Sequence, residues 1–220
     1  MIAAKNVSLQ YPDGTMALRN INLTVEPGEL VYITGPSGSG KTSLLKLLMA
    51  MEFPTAGTLE ILGHSYSKGQ TGPIRRLRRV LGPVFQDFKL IKGRTALENI
   101  MLGMRFLGTP SSEMKKAAAA ALARVGLEKK AATPVENLSW GECQRISIAR
   151  ALARKPLLIL ADEPTGNLDR GNALNILELL TGCTDGQTAV IITTHATHLI
   201  PEKQNRIIRL NSGVIEEAEA

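Results

Sequence analysis

Two short stretches contain residues of the types and spacing that phosphoryl-transfer chemistry needs. Gly35-Pro36-Ser37-Gly38-Ser39-Gly40-Lys41-Thr42, followed by Ser43, fits the phosphate-loop pattern G-x-x-x-x-G-K-[ST]. Its glycines let backbone N–H groups converge on phosphate oxygens without side-chain clash. A helix starting near Lys41 adds the positive end of its dipole. On this reading Lys41 reaches the β- and γ-phosphates and the Thr42 hydroxyl ligates Mg²⁺. The second stretch is LLILADE, residues 157–163. Asp162 ends an apolar run, where a hard carboxylate can hold Mg²⁺ through water. Glu163 beside it is a candidate to orient or deprotonate an attacking water. Two acids after a strand are, by themselves, an ordinary start to a loop; paired with a phosphate loop on a neighbouring strand they make a Mg-ATP site. No guanine-reading motif is visible, so the expected nucleotide is ATP rather than GTP.

A third stretch, LSWGECQRISIARA at 138–151, is ambiguous on its own. Ser139-Trp140-Gly141-Glu142 fits a capping box, with serine at the N-cap and glutamate three residues on. Ile146, Ala149, Leu152 and Ala153 then recur at helical spacing up to Pro156. Alone, the stretch reads as a helix start. The only tryptophan of the chain sits inside it.

The elements that must position these residues are legible along the chain. Residues 2–11 and 16–25 lean towards strand and are joined by Pro12-Asp13-Gly14, which has turn chemistry. LVYITG at 30–35 reads as a strand and KTSLLKLLMAM after it as a helix, the context a phosphate loop requires. GTLEILG at 57–63 is a further strand. From about 90 to 155 the pattern is largely helical, including an alanine-rich segment that opens at Pro110 and closes before Gly126. KPLLILADEP at 155–164 returns to a buried strand, followed by helix 170–181, strand 188–195 and a terminal hairpin at 206–217. The alternation predicts an α/β core with a mostly parallel sheet around a helical insertion.

Composition limits the function classes. The chain has 220 residues, 44% hydrophobic and 21% charged, which suits one globular domain or a core with a subdomain. No apolar run approaches the roughly 20 residues that span a bilayer. The start MIAAKNVSLQ lacks a basic region followed by an apolar core, so no signal peptide is expected. Cys143 and Cys183 are too few for a disulfide framework, lack metal-ligand spacing and read as free thiols in a reducing cytoplasm. The net charge of +6 is densest at Arg75, Arg76, Arg78 and Arg79. That run could meet nucleic acid, an anionic membrane or an acidic partner, or be a solvated helix face with Ile74, Leu77, Val80 and Leu81 inward. Aromatic residues make up only 4%, leaving little material for base stacking and weighing against nucleic acid.

Taken in order, GPSGSGKT, VFQD with Gln86, LSWGE, LLILADEPTGNLD and TTH with His195 resemble the nucleotide-binding subunit of an ATP-binding cassette (ABC) system over essentially the whole chain. The resemblance implies a single ABC-type P-loop NTPase domain over 1–220. Its nucleotide-binding core would comprise about 1–88 and 156–220, with N-terminal antiparallel strands, and a helical signature subdomain about 89–155. It also implies a head-to-tail homodimer in which each ATP lies between the phosphate loop of one subunit and the signature segment of the other. Tyr11 would then stack on adenine, and Gln86 would sense Mg²⁺ and the attacking water. His195 would contact the γ-phosphate, with Ser139 and Gly141 contacting the partner's. Asp169 would lie in the loop linking the two sites. The family usually has glycine where Trp140 stands, a polar residue at Cys143 and aspartate at Ala196. Within the family, the minimal length and ADEPTGNLD resemble the cell-division, lipoprotein-release and efflux ATPases, with FQDFKLI most like the cell-division type. These work on an integral membrane permease from the cytoplasmic face of the bacterial membrane; a non-transport regulatory ATPase is the further alternative, and intact Lys41, Asp162 and Glu163 weigh against a non-enzymatic regulatory subunit.

Overall fold

A computed structural model of the chain describes residues 1–201 and 205–216. The chain opens with an antiparallel pair, β1 (Ile2–Gln10) and β2 (Met16–Val25), then enters β3 (Leu30–Thr34) and helix α1 (Lys41–Leu48). β4 (Ala56–Ile61) and β5 (His64–Ser65) return to β1, giving an antiparallel sheet of order β2-β1-β4-β5. Helix α2 (Thr71–Val80) leads into β6 (Leu81–Val84). Helices α3 (Ala96–Met104), α4 (Ser111–Arg124) and α5 (Trp140–Leu152) follow. β7 (Leu158–Asp162), α6 (Arg170–Thr181), β8 (Ala189–Thr194) and the hairpin β9 (Arg206–Asn211) and β10 (Val214–Glu216) come last.

The second sheet has the order β10-β9-β3-β8-β7-β6, parallel throughout except for β10. Its central strands β7 and β8 are buried at every residue. This is why they read as unbroken apolar runs rather than alternating ones. Side chains of β3 alternate between two cores. Val31 and Ile33 join the leucines of α1 and the inner face of the antiparallel sheet, whereas Tyr32 joins Ile100, Leu122, Ile146 and Ile176 of the helices. Each fully buried aliphatic side chain contributes about 1.5–3 kcal/mol. The sheet's two faces therefore fix α1 on one side and α3 to α6 on the other. Register pairs Thr34 with Thr194 and Asp162 with Thr193, so β3, β7 and β8 end side by side. In parallel sheets that carboxyl edge is where ligands bind.

Two readings of the sequence change. Leu81, which fits the inward face of α2, instead starts β6 and pairs with Leu158 of β7. Pro83 explains the break: proline cannot continue a helix, disfavours helix in the residue before it, and is tolerated on an edge strand such as β6. Ile74 and Leu77 of α2 are buried, and Arg75, Arg76, Arg78 and Arg79 are exposed, as a solvated helix face requires. Helix is also not continuous from residue 90; turns and irregular chain run from Phe85 to Arg94 before the Thr95–Glu98 capping box opens α3. The terminal hairpin turns at Ser212-Gly213, both at positive φ. Glu217, the last residue of its predicted span, lies outside the described residues.

Candidate functional site

The phosphate loop leaves β3 at Gly35, where φ is +152° and an added Cβ would lie 2.0 Å from the Leu210 carbonyl oxygen. At Gly40, φ is +104° and a Cβ would lie 2.7 Å from the Ala17 oxygen. Both positions exclude a side chain, so the loop passes closer to its neighbours than any other residue permits. Gly40 is the N-cap of α1 and no side chain caps that end. The first N–H groups of α1 are thus left to serve an anion. Lys41, 6% exposed, donates from Nζ to the carbonyl oxygens of Gly35 (2.9 Å) and Pro36 (3.0 Å).

Facing it across the strand ends are the two acids. Thr42 Oγ1 donates to Asp162 Oδ1 at 3.3 Å, and Thr193 Oγ1 donates to the same oxygen at 2.8 Å. Glu163 has φ +45°, a left-handed conformation that costs a residue with a Cβ of the order of 1 kcal/mol. Its N–H is held by the backbone oxygen and the hydroxyl of Thr193, both at 3.1 Å. The strained turn aims the carboxylate back into the site. Oε1 lies 3.2 Å from Lys41 Nζ; Oε2 accepts from the His195 N–H at 3.2 Å and faces His195 Nδ1 at 2.9 Å. A carboxylate fixed on both sides at the mouth of a phosphate loop can position and deprotonate water.

Tyr11, Gln86, Glu163, His195 and Pro36 to Ser43 of the loop line one cleft of about 750 Å³. The Tyr11 hydroxyl is 3.1 Å from Ser43 Oγ, and Lys46 Nζ lies 5.9 Å from the ring centroid. The Thr42 hydroxyl and the Asp162 carboxylate are adjacent hard oxygen donors, which fits Mg²⁺. Among the described residues no three His, Cys, Asp or Glu side chains converge on a metal by themselves. A cation here must bring further ligands with it, as Mg²⁺ does with water and nucleotide phosphates.

Ser139, Gly141 and Asp169 do not line this cleft. Ser139 caps α5: its Oγ accepts from the Glu142 N–H at 3.2 Å, while Glu142 Oε2 accepts from the Ser139 N–H at 2.8 Å. The backbone bond from Ser139 is the largest cause holding the Glu142 carboxyl below its ordinary range. Ser139 and Trp140 are exposed, so the start of α5 faces outwards. Asp169 caps α6, accepting from the Asn172 N–H at 3.0 Å, which lowers its pKa. Trp140 is 47% exposed. Its indole N–H donates to the Gly166 oxygen at 3.3 Å, and its ring meets Phe88 at 4.6 Å, inclined by 66°. Sequence reasoning missed Thr193 and Phe88. A threonine interrupting the apolar run of β8 was the available signal for the first; Phe88 gave none.

This fold, with a phosphate loop and paired acids at the carboxyl edge of its parallel sheet, defines a P-loop ATPase. The ABC transporter family matches residues 18–166, and the chain belongs to that family. It is an ABC ATPase. The cell division ATP-binding protein FtsE of Mycobacterium tuberculosis is 37% identical over 214 residues, covering 97% of this chain and 93% of that protein. FtsE of Bacillus subtilis is 37% identical over 220 residues, covering 100% and 96%. FtsE of Escherichia coli strain K12 is 38% identical over 213 residues, covering 97% and 96%. Among solved structures, a dimeric bacterial ABC transporter cassette superposes with a TM-score of 0.89 at 38% identity, covering 99% of this chain and 97% of that one. The same cassette as a dimer in a post-hydrolysis state bound to ADP and Pi gives 0.90 at 36% identity, covering 100% and 98%.

Proposed function

We propose that this chain is the ATP-hydrolysing subunit of an FtsE-like system, pairing head to tail around Mg-ATP and driving an FtsX-type permease that controls cell-wall hydrolases during division. The observation that carries the reading is the Glu163 carboxylate, held between Lys41 and His195 in the cleft of the phosphate loop. In the proposed roles, the Gly35–Ser43 loop and Lys41 bind the phosphates, and Thr42, Asp162 and Gln86 hold Mg²⁺. When bound there, the ion would supply positive charge to offset that of the phosphoryl group. Glu163 is the base, His195 touches the γ-phosphate and Tyr11 stacks on adenine. Ser139 and Gly141 act on the partner's γ-phosphate, using the outward-facing N-terminus of α5, and Asp169 lies between the two sites. The core is assigned to about 1–88 and 156–220 and the helical subdomain to about 89–155.

A second groove, of about 820 Å³, supports the permease partner. Its floor includes Leu81, Pro83, Phe85 and Leu102, its rim includes Arg75, Arg79 and Arg154, and no acid lines it. Phe106 stands 82% exposed beside it. An amphipathic cytoplasmic segment with acidic groups fits this chemistry. No helix among the described residues is long and apolar enough to cross a membrane, which suits peripheral attachment at the cytoplasmic face through such a partner. The naming of the relatives as cell division proteins supports a division-type permease, here taken as FtsX-like, over a lipoprotein-release or efflux permease. Co-purification of this chain from membranes containing one permease type at a time tests the choice. Retention by the FtsX type alone is expected; retention only by the lipoprotein-release or efflux type overturns it.

A further inference from the structure

We propose that Trp140 is a positioning residue that ties the outward-facing start of α5 to the hydrolytic side of its own subunit, so that the two nucleotide sites of a dimer sense each other through one indole. The inference rests on the dimer proposed above. Trp140 is the first residue of α5, between Ser139 and Gly141. Two separate segments meet at its ring. The indole N–H reaches the Gly166 oxygen, and Gly166 in turn donates its N–H to the Glu163 oxygen at 3.1 Å, closing the turn that carries the catalytic carboxylate. A Cβ on Gly166 would lie 3.7 Å from Gln86 Nε2. The ring edge contact is to Phe88, two residues beyond Gln86.

Phe88 is itself immobilised against α5. Phe88 and Lys89 both have positive φ, 58° and 49°, an arrangement that persists only when neighbours enforce it. Arg150 of α5 donates to the carbonyl oxygens of Phe88 and Lys89, and Ser147 Oγ donates to Phe88 at 3.5 Å. The segment after Gln86 is thus fixed to the second half of α5 by hydrogen bonds and to its first residue by the Trp140–Phe88 contact. A displacement of Gln86 or of the Glu163–Gly166 turn, as the γ-phosphate is cleaved, reaches Ser139 and Gly141 through a rigid ring. Those residues act on the other nucleotide. Glycine at position 140 removes both contacts, whereas phenylalanine keeps an aromatic ring and loses only the N–H donor.

The test is the ATP dependence of hydrolysis by the wild-type, Trp140→Phe and Trp140→Gly proteins, each checked for folding by thermal denaturation. The wild type is expected to show a Hill coefficient above 1, limited by the two sites of a dimer. Trp140→Gly is expected to bring it to about 1 while still hydrolysing ATP, and Trp140→Phe to hold an intermediate value. Phe88→Leu, which leaves the tryptophan in place, should red-shift its emission and lower the coefficient as well; it serves if Trp140→Gly does not fold. A non-cooperative wild type, or variants with undiminished cooperativity, overturn the proposal. ATP-dependent dimerisation of the Glu163→Gln protein, measured separately, reports on the dimer itself: if it dimerises and the Trp140 variants stay cooperative, only the role of the indole fails.

Discussion

On the proposed reading, Glu163 concentrates the chemistry at the residue scale. Its carboxylate lies between Lys41 Nζ and His195 Nδ1 at the cleft, and removing its charge is expected to separate binding from turnover. Glu163→Gln is expected to lower phosphate release by roughly 10²–10⁴-fold, the contribution of a positioned base, while Mg-ATP still binds. Lys41→Ala is expected to do the reverse first, weakening nucleotide binding in a titration because a charge-assisted contact to phosphate is deleted. Thr193 joins the two acids: it bonds Asp162 Oδ1 and holds the strained Glu163 N–H. Thr193→Val keeps the shape of this fully buried side chain and removes the hydroxyl. A cost of about 1–3 kcal/mol in chemical denaturation, with a loss of turnover, is expected. The paired acids proposed for catalysis stood out in the sequence because their motif is contiguous. Thr193 did not, because its role exists only once β8 lies beside β7.

At the scale of elements, the start of α5 serves stability and, on the proposed reading, chemistry. Ser139→Ala should cost about 1 kcal/mol of stability through loss of the cap. The reciprocal partner, Glu142, adds a pH signature. Its folded pKa is depressed, so the carboxylate's stabilisation is complete above the unfolded value near ~4.3 and is lost as pH falls through the lower folded value. The stability gap between wild type and Glu142→Ala is therefore expected to be constant from neutral pH down to about 5 and to narrow below about 4, read by urea denaturation across pH. Both capping boxes are local patterns, and that of α5 could be read from four adjacent residues. β6 could not. Leu81 satisfies the helical spacing of α2, and only pairing with Leu158 reveals it as strand. Periodicity describes one element at a time; strand pairing is a property of two.

At the scale of the whole molecule, the sheet gathers residues 11, 36–43, 86, 163 and 195 into one cleft, drawn from motifs that stand apart along the sequence. The basic groove was far less legible. Met49 and Met51 after α1, the arginines of α2, Phe85, Phe106 and Arg154 meet there from scattered positions, and only the arginine run stood out beforehand. Arg75→Glu with Arg79→Glu is expected to weaken permease association and to remove most of its salt sensitivity, with ATP binding by the isolated protein unchanged. In the proposed assembly, ATP closes two copies of this chain upon each other. Sedimentation velocity of the Glu163→Gln protein, with Mg-ATP and with Mg-ADP across a range of protein concentrations, addresses it most directly. A concentration-dependent dimer carrying one nucleotide per subunit, formed with ATP and not with ADP, is the predicted result. Protein saturated with ATP that stays monomeric at every concentration would contradict it.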